Sequence, residues 1–136
     1  MKRVIIVIAI VVVLLIIPVT VILLTNGAKV TGTATFFNNE SVLDEKDAAE
    51  LFDIINVGRR YLYDDPVPAC GFGKGVSICL TRNNSEYEFY IAWDNCPCLY
   101  FKNEKKYLDI SEGDREKINS ILDKYGFKFP AYSYEP

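Results

Sequence analysis

Four cysteines are the residues of this sequence best suited to chemistry, and a single proline separates two of them. Cys70, Cys79, Cys96 and Cys98 all lie in the second half of the chain. A C-x-C pair can form a strained, readily reduced disulfide or present a reactive thiolate. An even number of cysteines is more typical of structural disulfides when a small domain is exported. We expect two disulfides, and a thiol-redox role for Cys96 and Cys98 is the rival.

Four cysteines allow three disulfide connectivities. We favour Cys70 with Cys96 and Cys79 with Cys98, because Cys79 is predicted to project from the sheet face away from the helices and Cys98 to begin a strand that neighbours the same sheet. The reverse pairing is the alternative, and a Cys70 to Cys79 bond would contradict both. The intervals of eight, sixteen and one residues between the cysteines are not those of a zinc ribbon. The sequence therefore predicts no metal site and no cofactor.

Histidine is absent from the chain, which removes the commonest general base, an imidazole metal ligand and the usual pH switch. Carboxylates remain in the predicted loops and helix caps, at Asp64, Asp65, Asp94, Asp109 and Glu112. Two catalytic carboxylates must face each other across a cleft, and nothing in this spacing indicates it. We expect solvated loop and cap roles for them and a protein that is not an enzyme.

Aromatic residues are the remaining candidates for function, because every tyrosine and phenylalanine and Trp93 follow residue 29. The predicted strands turn Tyr90, Tyr100 and Tyr107 to the sheet face away from the helices. Outward tyrosines are favoured at protein interfaces, although half-exposed sheet tyrosines without a partner are more common. We expect a binding face for a protein or cell-envelope partner. The alternatives are a thiol-redox protein or envelope enzyme, and a structural membrane component.

The strands that must position these side chains follow from alternation and turn signals. Residues 30–37 alternate between apolar and polar types, which predicts a half-buried strand. Asn83 and Asn84 predict a tight hairpin turn, and a two-residue loop there places Leu80 opposite Tyr87. A second hairpin is expected over residues 98–110, and a short strand over residues 59–63.

Two helices are expected, one before and one after the hairpins. Residues 44–57 carry apolar side chains at i, i+3, i+4 and i+7, with Ser41 or Asp44 as the N-cap and Gly58 as the stop. Ser111 begins a second helix with a capping pattern, and Gly126 follows its end. The predicted fold is an α+β domain: an antiparallel sheet of about five to six strands with both helices on one face, held by disulfides.

An apolar run from Val4 to Leu24 precedes this domain. Its length of about 21 residues gives roughly 30 Å of helix, enough to span a bilayer. Lys2 and Arg3 precede the run, so the positive-inside rule predicts a cytoplasmic N-terminus. We expect a signal anchor and linker over residues 1–29 and a single-pass membrane protein whose residues 30–136 form an extracytoplasmic domain. Cleavage before Ala28, which would release a secreted domain, is the alternative.

The charge of the domain limits its partners. The chain has 15 basic and 18 acidic residues, and two of the basic residues, Lys2 and Arg3, precede the apolar run. The remainder has 13 basic residues and a formal charge of −5. Binding to nucleic acid needs a clustered basic face, so we expect no nucleic-acid partner.

Overall fold

The computed structural model of the chain describes residues 29–55, 70–73 and 75–131, together with the backbone of residues 62–63. Within these ranges, no helix is long and apolar enough to cross a membrane. The predicted membrane anchor over residues 4–24 lies outside the described residues, as do Asp64, Asp65 and the predicted helix stop at Gly58.

The described strands form one antiparallel sheet. It has six strands of four to seven residues and a two-residue edge strand, and their order is β2-β1-β4-β5-β6-β7-β3. The strands in chain order are β1 Val30–Phe36, β2 Asn39–Val42, β3 Leu62–Tyr63, β4 Val76–Arg82, β5 Ser85–Ile91, β6 Cys98–Phe101 and β7 Lys106–Asp109. The prediction of an antiparallel sheet with two accompanying helices is confirmed.

The β4–β5 hairpin has the register that its sequence predicts. Leu80 pairs with Tyr87 across the two strands. Asn83 and Asn84 occupy the turn with φ of 51° and 61°, the left-handed values that a two-residue hairpin turn requires and that asparagine tolerates. Because side chains alternate along a strand, this register brings the large apolar residues of both strands to one face.

The strand β2 was missed by the sequence prediction. It pairs with β1 through a hairpin whose turn includes Phe37, at a φ of 54°. A phenylalanine is not a typical residue for a left-handed turn, and the four residues of β2 include Asn39, Glu40 and Ser41, so neither turn chemistry nor alternation indicates a hairpin. The strand forms because β1 offers its second edge for pairing.

The helices are α1, Glu45–Ile55, and α2, Glu112–Asp123. Asp44 caps α1, since its Oδ1 accepts a hydrogen bond from the backbone N–H of Asp47 at 2.8 Å. Ser111 caps α2 in the same way through Asp114 at 3.1 Å. Gly126, at a φ of 85°, lies three residues beyond the end of α2 and reverses the chain. Both N-caps lie where the sequence predicts them.

One hydrophobic cluster joins both helices to the sheet, so the two helices lie on the same face. Leu51 and Ile55 of α1 and Ile118 and Leu122 of α2 are all buried in it. The inward side chains of the sheet complete the cluster, among them Ala34, Val76, Ile78, Leu80, Phe89, Ile91, Leu99, Phe101 and Leu108. The opposite face of the sheet lies away from the helices and carries Tyr90, Tyr100 and Tyr107.

Candidate functional site

The face of the sheet away from the helices carries one row of polar and aromatic residues, with one member on each of the seven strands. The register of the strand pairs places its members directly opposite one another from strand to strand. From β2 to β3 they are Glu40, Thr35, Ser77, Tyr90, Tyr100, Tyr107 and Tyr63. The position of Tyr63 is known from its backbone alone.

Three of the row's tyrosines form a contiguous ring cluster. The Tyr90 and Tyr100 ring centroids are 5.7 Å apart, and those of Tyr100 and Tyr107 are 5.2 Å apart. Phe72 extends the cluster, with its centroid 5.7 Å from that of Tyr107. All four side chains are half-buried. The structure thus brings together the three tyrosines that the sequence analysis selected, and we call these four residues the aromatic cluster.

Phe72 is a member that the sequence analysis missed. It lies in the segment before β4, outside the strands, so no alternation pattern reports its direction. The preceding residue, Gly71, is held by the loop after β5, because its carbonyl oxygen accepts a hydrogen bond from the backbone N–H of Trp93 at 2.7 Å. A hydrogen bond between two irregular segments has no local signal in the sequence.

The charges around the aromatic cluster are mainly acidic. Lys102 forms an ion pair with Glu88, and its Nζ lies 5.9 Å from the centroid of Tyr90. The hydrogen bond to Glu88 raises the pKa of Lys102. By strand register Glu40, Glu86 and Asp109 lie on the same face as Glu88. On the described strands this face therefore has more negative than positive charge.

A disulfide between Cys70 and Cys96 joins the segment before β4 to the loop before β6, with the Cα atoms 6.1 Å apart. This is one of the two bonds that we favoured. Asp94 lies beside it, and its side-chain oxygen and the two sulfur atoms all lie within 4.8 Å of one another. Since the two sulfur atoms are bonded to each other, neither is a thiolate, and Asp94 is the one residue of this group that offers a negatively charged metal ligand.

The expected bond between Cys79 and Cys98 is wrong, because both residues are thiols in the structure. Cys79 lies on β4 opposite Glu88 of β5, whereas Cys98 begins β6. The register places Cys98 level with Ala92, which directly follows β5 and is four residues along the chain from Glu88. At ordinary sheet spacings, an offset of two strands and four residues separates the Cα atoms of Cys79 and Cys98 by roughly 16 Å. A disulfide requires Cα atoms within about 7 Å. The prediction placed Cys79 on the correct face and Cys98 at the start of a strand of the same sheet, but it ignored the strand between them.

The two thiols differ in accessibility. Cys98 is 2% exposed. Cys79 is half-buried and lines a shallow hollow of about 220 Å³ with Thr31, Thr33 and Val42 among its neighbours. Burial, and then a hydrogen bond to Glu86, raise the pKa of Cys79 to about 11. At neutral pH this thiol is therefore protonated, and a protonated thiol is a poor nucleophile.

The described candidate carboxylates occupy local structural positions. Asp94 accepts a hydrogen bond from the backbone N–H of Cys96 at 3.2 Å, which is a turn contact. Asp109 is exposed at the end of β7. Glu112 is exposed in the first turn of α2, where a negative charge is favoured by the helix dipole. Asp94 and Glu112 therefore lie in a loop and in the first turn of a helix, as expected, whereas Asp109 ends a strand.

Arg115 is a buried charged residue that the sequence analysis did not select. Its side chain is 2% exposed, its Nη2 donates to the carbonyl oxygen of Ala92 at 3.0 Å, and its guanidinium carbon lies 4.5 Å from the ring centroid of Phe129. Burial lowers its pKa to about 10, while the charge of Asp94 opposes that shift. Its spacing from Ile118 and Leu122 is that of the apolar stripe of α2, a signal that could have identified it, although arginine is seldom a buried residue.

No protein-family model, curated protein or solved structure matches this chain.

Proposed function

We propose that this protein is a membrane-anchored, extracytoplasmic binding domain, and that the aromatic cluster is its contact surface for a protein partner. The observation that carries the proposal is the row of tyrosine rings at 5.2 to 5.7 Å on the sheet face away from the helices. Tyrosine combines a large apolar ring with a polar hydroxyl group, and it is enriched at protein interfaces for that reason.

The shape and charge of this face favour a protein with a basic surface. The cluster lies on the face of a sheet. Small-molecule sites are usually concave, whereas protein interfaces can be nearly flat. The acidic residues around Lys102 and the formal charge of −5 attract a basic partner by long-range electrostatics.

The apolar run from Val4 to Leu24 supports the membrane location. Its length matches a bilayer, and Lys2 and Arg3 favour a cytoplasmic N-terminus. Membrane expression followed by intact-mass measurement tests this part of the proposal. A mature chain that begins at Met1 supports the anchor, whereas soluble protein beginning near Ala28 would show that the run is a cleaved signal.

The thiol-redox alternative is less well supported. Cys96 is bonded to Cys70, and Cys98 is 2% exposed. A redox pair made of Cys96 and Cys98 would first require Cys96 to exchange its partner. Cys79, the more exposed thiol, has a raised pKa and is therefore a weak nucleophile at neutral pH.

Site-specific photo-crosslinking in the native membrane tests the binding face. Benzoylphenylalanine replaces Tyr100 in one variant and Lys117 in a control variant. Lys117 is exposed on α2, on the opposite side of the molecule. We expect a discrete protein adduct from position 100 and none from position 117. The adduct should weaken as salt rises, because salt screens the attraction between exposed charges.

A second variant shows whether the tyrosines themselves bind. With the photo-reactive residue moved to Thr35, which lies in the same row, Tyr90→Ala and Tyr107→Ala should together remove the adduct. Loss of a central aromatic contact commonly costs an interface more than about 1 kcal/mol. Adducts of equal yield from positions 100 and 117, or an adduct unaffected by the two alanines, would refute the proposed face.

A further inference from the structure

The folded domain begins close to the proposed membrane anchor. Lys29 directly precedes β1, and its Nζ forms an ion pair with Glu45 of α1 at 3.1 Å. The apolar run ends at Leu24, five residues earlier in the chain. A stretch of five residues spans at most about 18 Å when it is fully extended. With the run in the bilayer, Lys29 is therefore held within about 18 Å of the membrane surface.

The register of the sheet gives the distance from this point to the aromatic cluster. Tyr100 lies in the same row as Thr35, which is five residues along β1 from Val30. In the sheet, β6 is three strands away from β1. At ordinary sheet spacings these offsets place Tyr100 roughly 22 Å from Val30. The cluster is thus kept within about 45 Å of the membrane surface at any tilt of the domain.

The cluster offers a small contact area. The rings of Phe72, Tyr90, Tyr100 and Tyr107 are all half-buried. A phenylalanine or tyrosine has about 150–250 Å² to bury, so four half-buried rings leave at most roughly 300–500 Å² for a partner. A stable complex between two freely diffusing proteins buries about 800 Å² on each of them. An interface limited to the cluster is therefore a weak contact.

On the basis of the function proposed above, we propose that the partner of the aromatic cluster is itself anchored in the same membrane, with its basic surface within about 45 Å of the bilayer. Tethering raises the effective concentration of two binding surfaces, into the millimolar range for short linkers. A weak contact is occupied at such concentrations. The short reach of residues 25–28 keeps the effective concentration high and limits the cluster to partners that stand close to the membrane.

Photo-crosslinking from position 100 of the full-length chain tests the location of the partner. Native membranes with benzoylphenylalanine in place of Tyr100 are washed to remove soluble and peripheral proteins, returned to the starting buffer and irradiated. We expect the same adduct from washed and unwashed membranes, because an anchored partner is retained. An adduct that is lost on washing would overturn this proposal and leave the binding face intact. Absence of the adduct from both preparations would refute the binding face itself, and this proposal with it.

Lengthening the tether tests the same proposal without changing the folded domain. Insertion of about ten Gly and Ser residues between Ala28 and Lys29 adds a mean span of about 17 Å. Because effective concentration falls roughly as the −3/2 power of linker length, the adduct yield from position 100 should fall about fivefold. The matched control carries the same insertion after Pro136, where it leaves the tether unchanged, and should keep the original yield. Equal yields from the two insertions would overturn the proposal, since a freely diffusing partner is insensitive to the tether.

Discussion

The carboxylate of Asp47 on α1 accepts a hydrogen bond from Nζ of Lys124, the residue that caps the C-terminal end of α2, at 2.7 Å. Asp47 is 2% exposed, and the hydroxyl group of Tyr125 donates to its second oxygen at 2.8 Å. The same hydroxyl accepts the backbone N–H of Asp44 at 3.0 Å. The start of α1 and the end of α2 are thus joined by one polar network.

This network predicts a pH-dependent contribution to stability. The hydrogen bond from Lys124, helped by that from Tyr125, holds the pKa of Asp47 below its ordinary value, against the opposing effect of burial. A lowered folded-state pKa stabilises the fold above the unfolded-state value, about 3.9, and this contribution is lost as pH falls through the folded-state pKa. Asp47→Asn should therefore cost about 1–3 kcal/mol at pH 6 and less at pH 3.

Urea unfolding followed by the fluorescence of Trp93, the single tryptophan of the chain, measures both values. Asp123→Asn is the matched control, because Asp123 is exposed and forms an ion pair with Lys128. An exposed pair contributes up to about 1 kcal/mol, so the control should change little at either pH. A cost for Asp47→Asn that is the same at pH 6 and pH 3 would contradict the assigned role.

The disulfide makes a second prediction. Peptide mapping without reduction should recover one crosslinked pair, Cys70 with Cys96, and should find Cys79 and Cys98 alkylated after unfolding. Cys70→Ser should destabilise the fold by about 3 kcal/mol, because the bond closes a loop with a sequence separation of 26. Cys79→Ser is the control and should cost less. Recovery of a Cys79 to Cys98 peptide, or equal costs for the two variants, would rule this out.

The parts of the fold that the sequence predicted are those specified by neighbouring residues. The register of Leu80 with Tyr87 follows from a two-asparagine turn and alternation alone, and the cap at Ser111 follows from its own first turn. Because the register fixes which face each side chain takes, the alignment of Tyr90, Tyr100 and Tyr107 was also predictable.

The parts that could not be predicted depend on contacts between distant segments. Cys79 and Cys98 are far apart because β5 lies between β4 and β6. The two predicted hairpins already implied this strand order, but the predicted disulfide did not take it into account. The burial of Arg115 depends on Ala92 and Phe129, which come from a loop and the C-terminal segment. The helical period does place Arg115 on the buried stripe, three residues before Ile118 and seven before Leu122, but an arginine is seldom buried and its type therefore gave no indication of burial.

Two glycines provide a third prediction, with effects of opposite sign. A Cβ atom on Gly32 of β1 would lie 2.7 Å from the backbone oxygen of Cys79 and 2.7 Å from Cδ2 of Leu80. Gly32→Ala should therefore force β1 and β4 apart, at a cost of about 1–3 kcal/mol. A Cβ atom on Gly113 in α2 would meet nothing within 4 Å. Gly113→Ala should stabilise the fold by about 0.4–1 kcal/mol.

Thermal or urea unfolding of the two alanine variants provides the comparison, and each is the control for the other. Both lose the same flexibility of the unfolded chain, so the difference between them isolates the close approach of β1 to β4. If Gly32→Ala were as stable as Gly113→Ala, the tight packing at Gly32 would be wrong.

The last prediction concerns the reactivity of Cys79. With its pKa raised to about 11, roughly one thiol in ten thousand is ionised at pH 7, against a few per cent for an ordinary cysteine with a pKa of about 8.5. Alkylation by iodoacetamide should therefore be on the order of a hundredfold slower than at an exposed thiol, and its rate should rise tenfold per pH unit up to about pH 10. Glu86→Gln should accelerate the reaction at pH 8, because it removes the negative charge of a residue that raises the pKa of the thiol. A cysteine placed at the exposed position 104, in a Cys79→Ser background, is the reference thiol. A Cys79 rate that levels off near pH 8.5, as an unperturbed thiol would show, is the result that excludes the raised pKa.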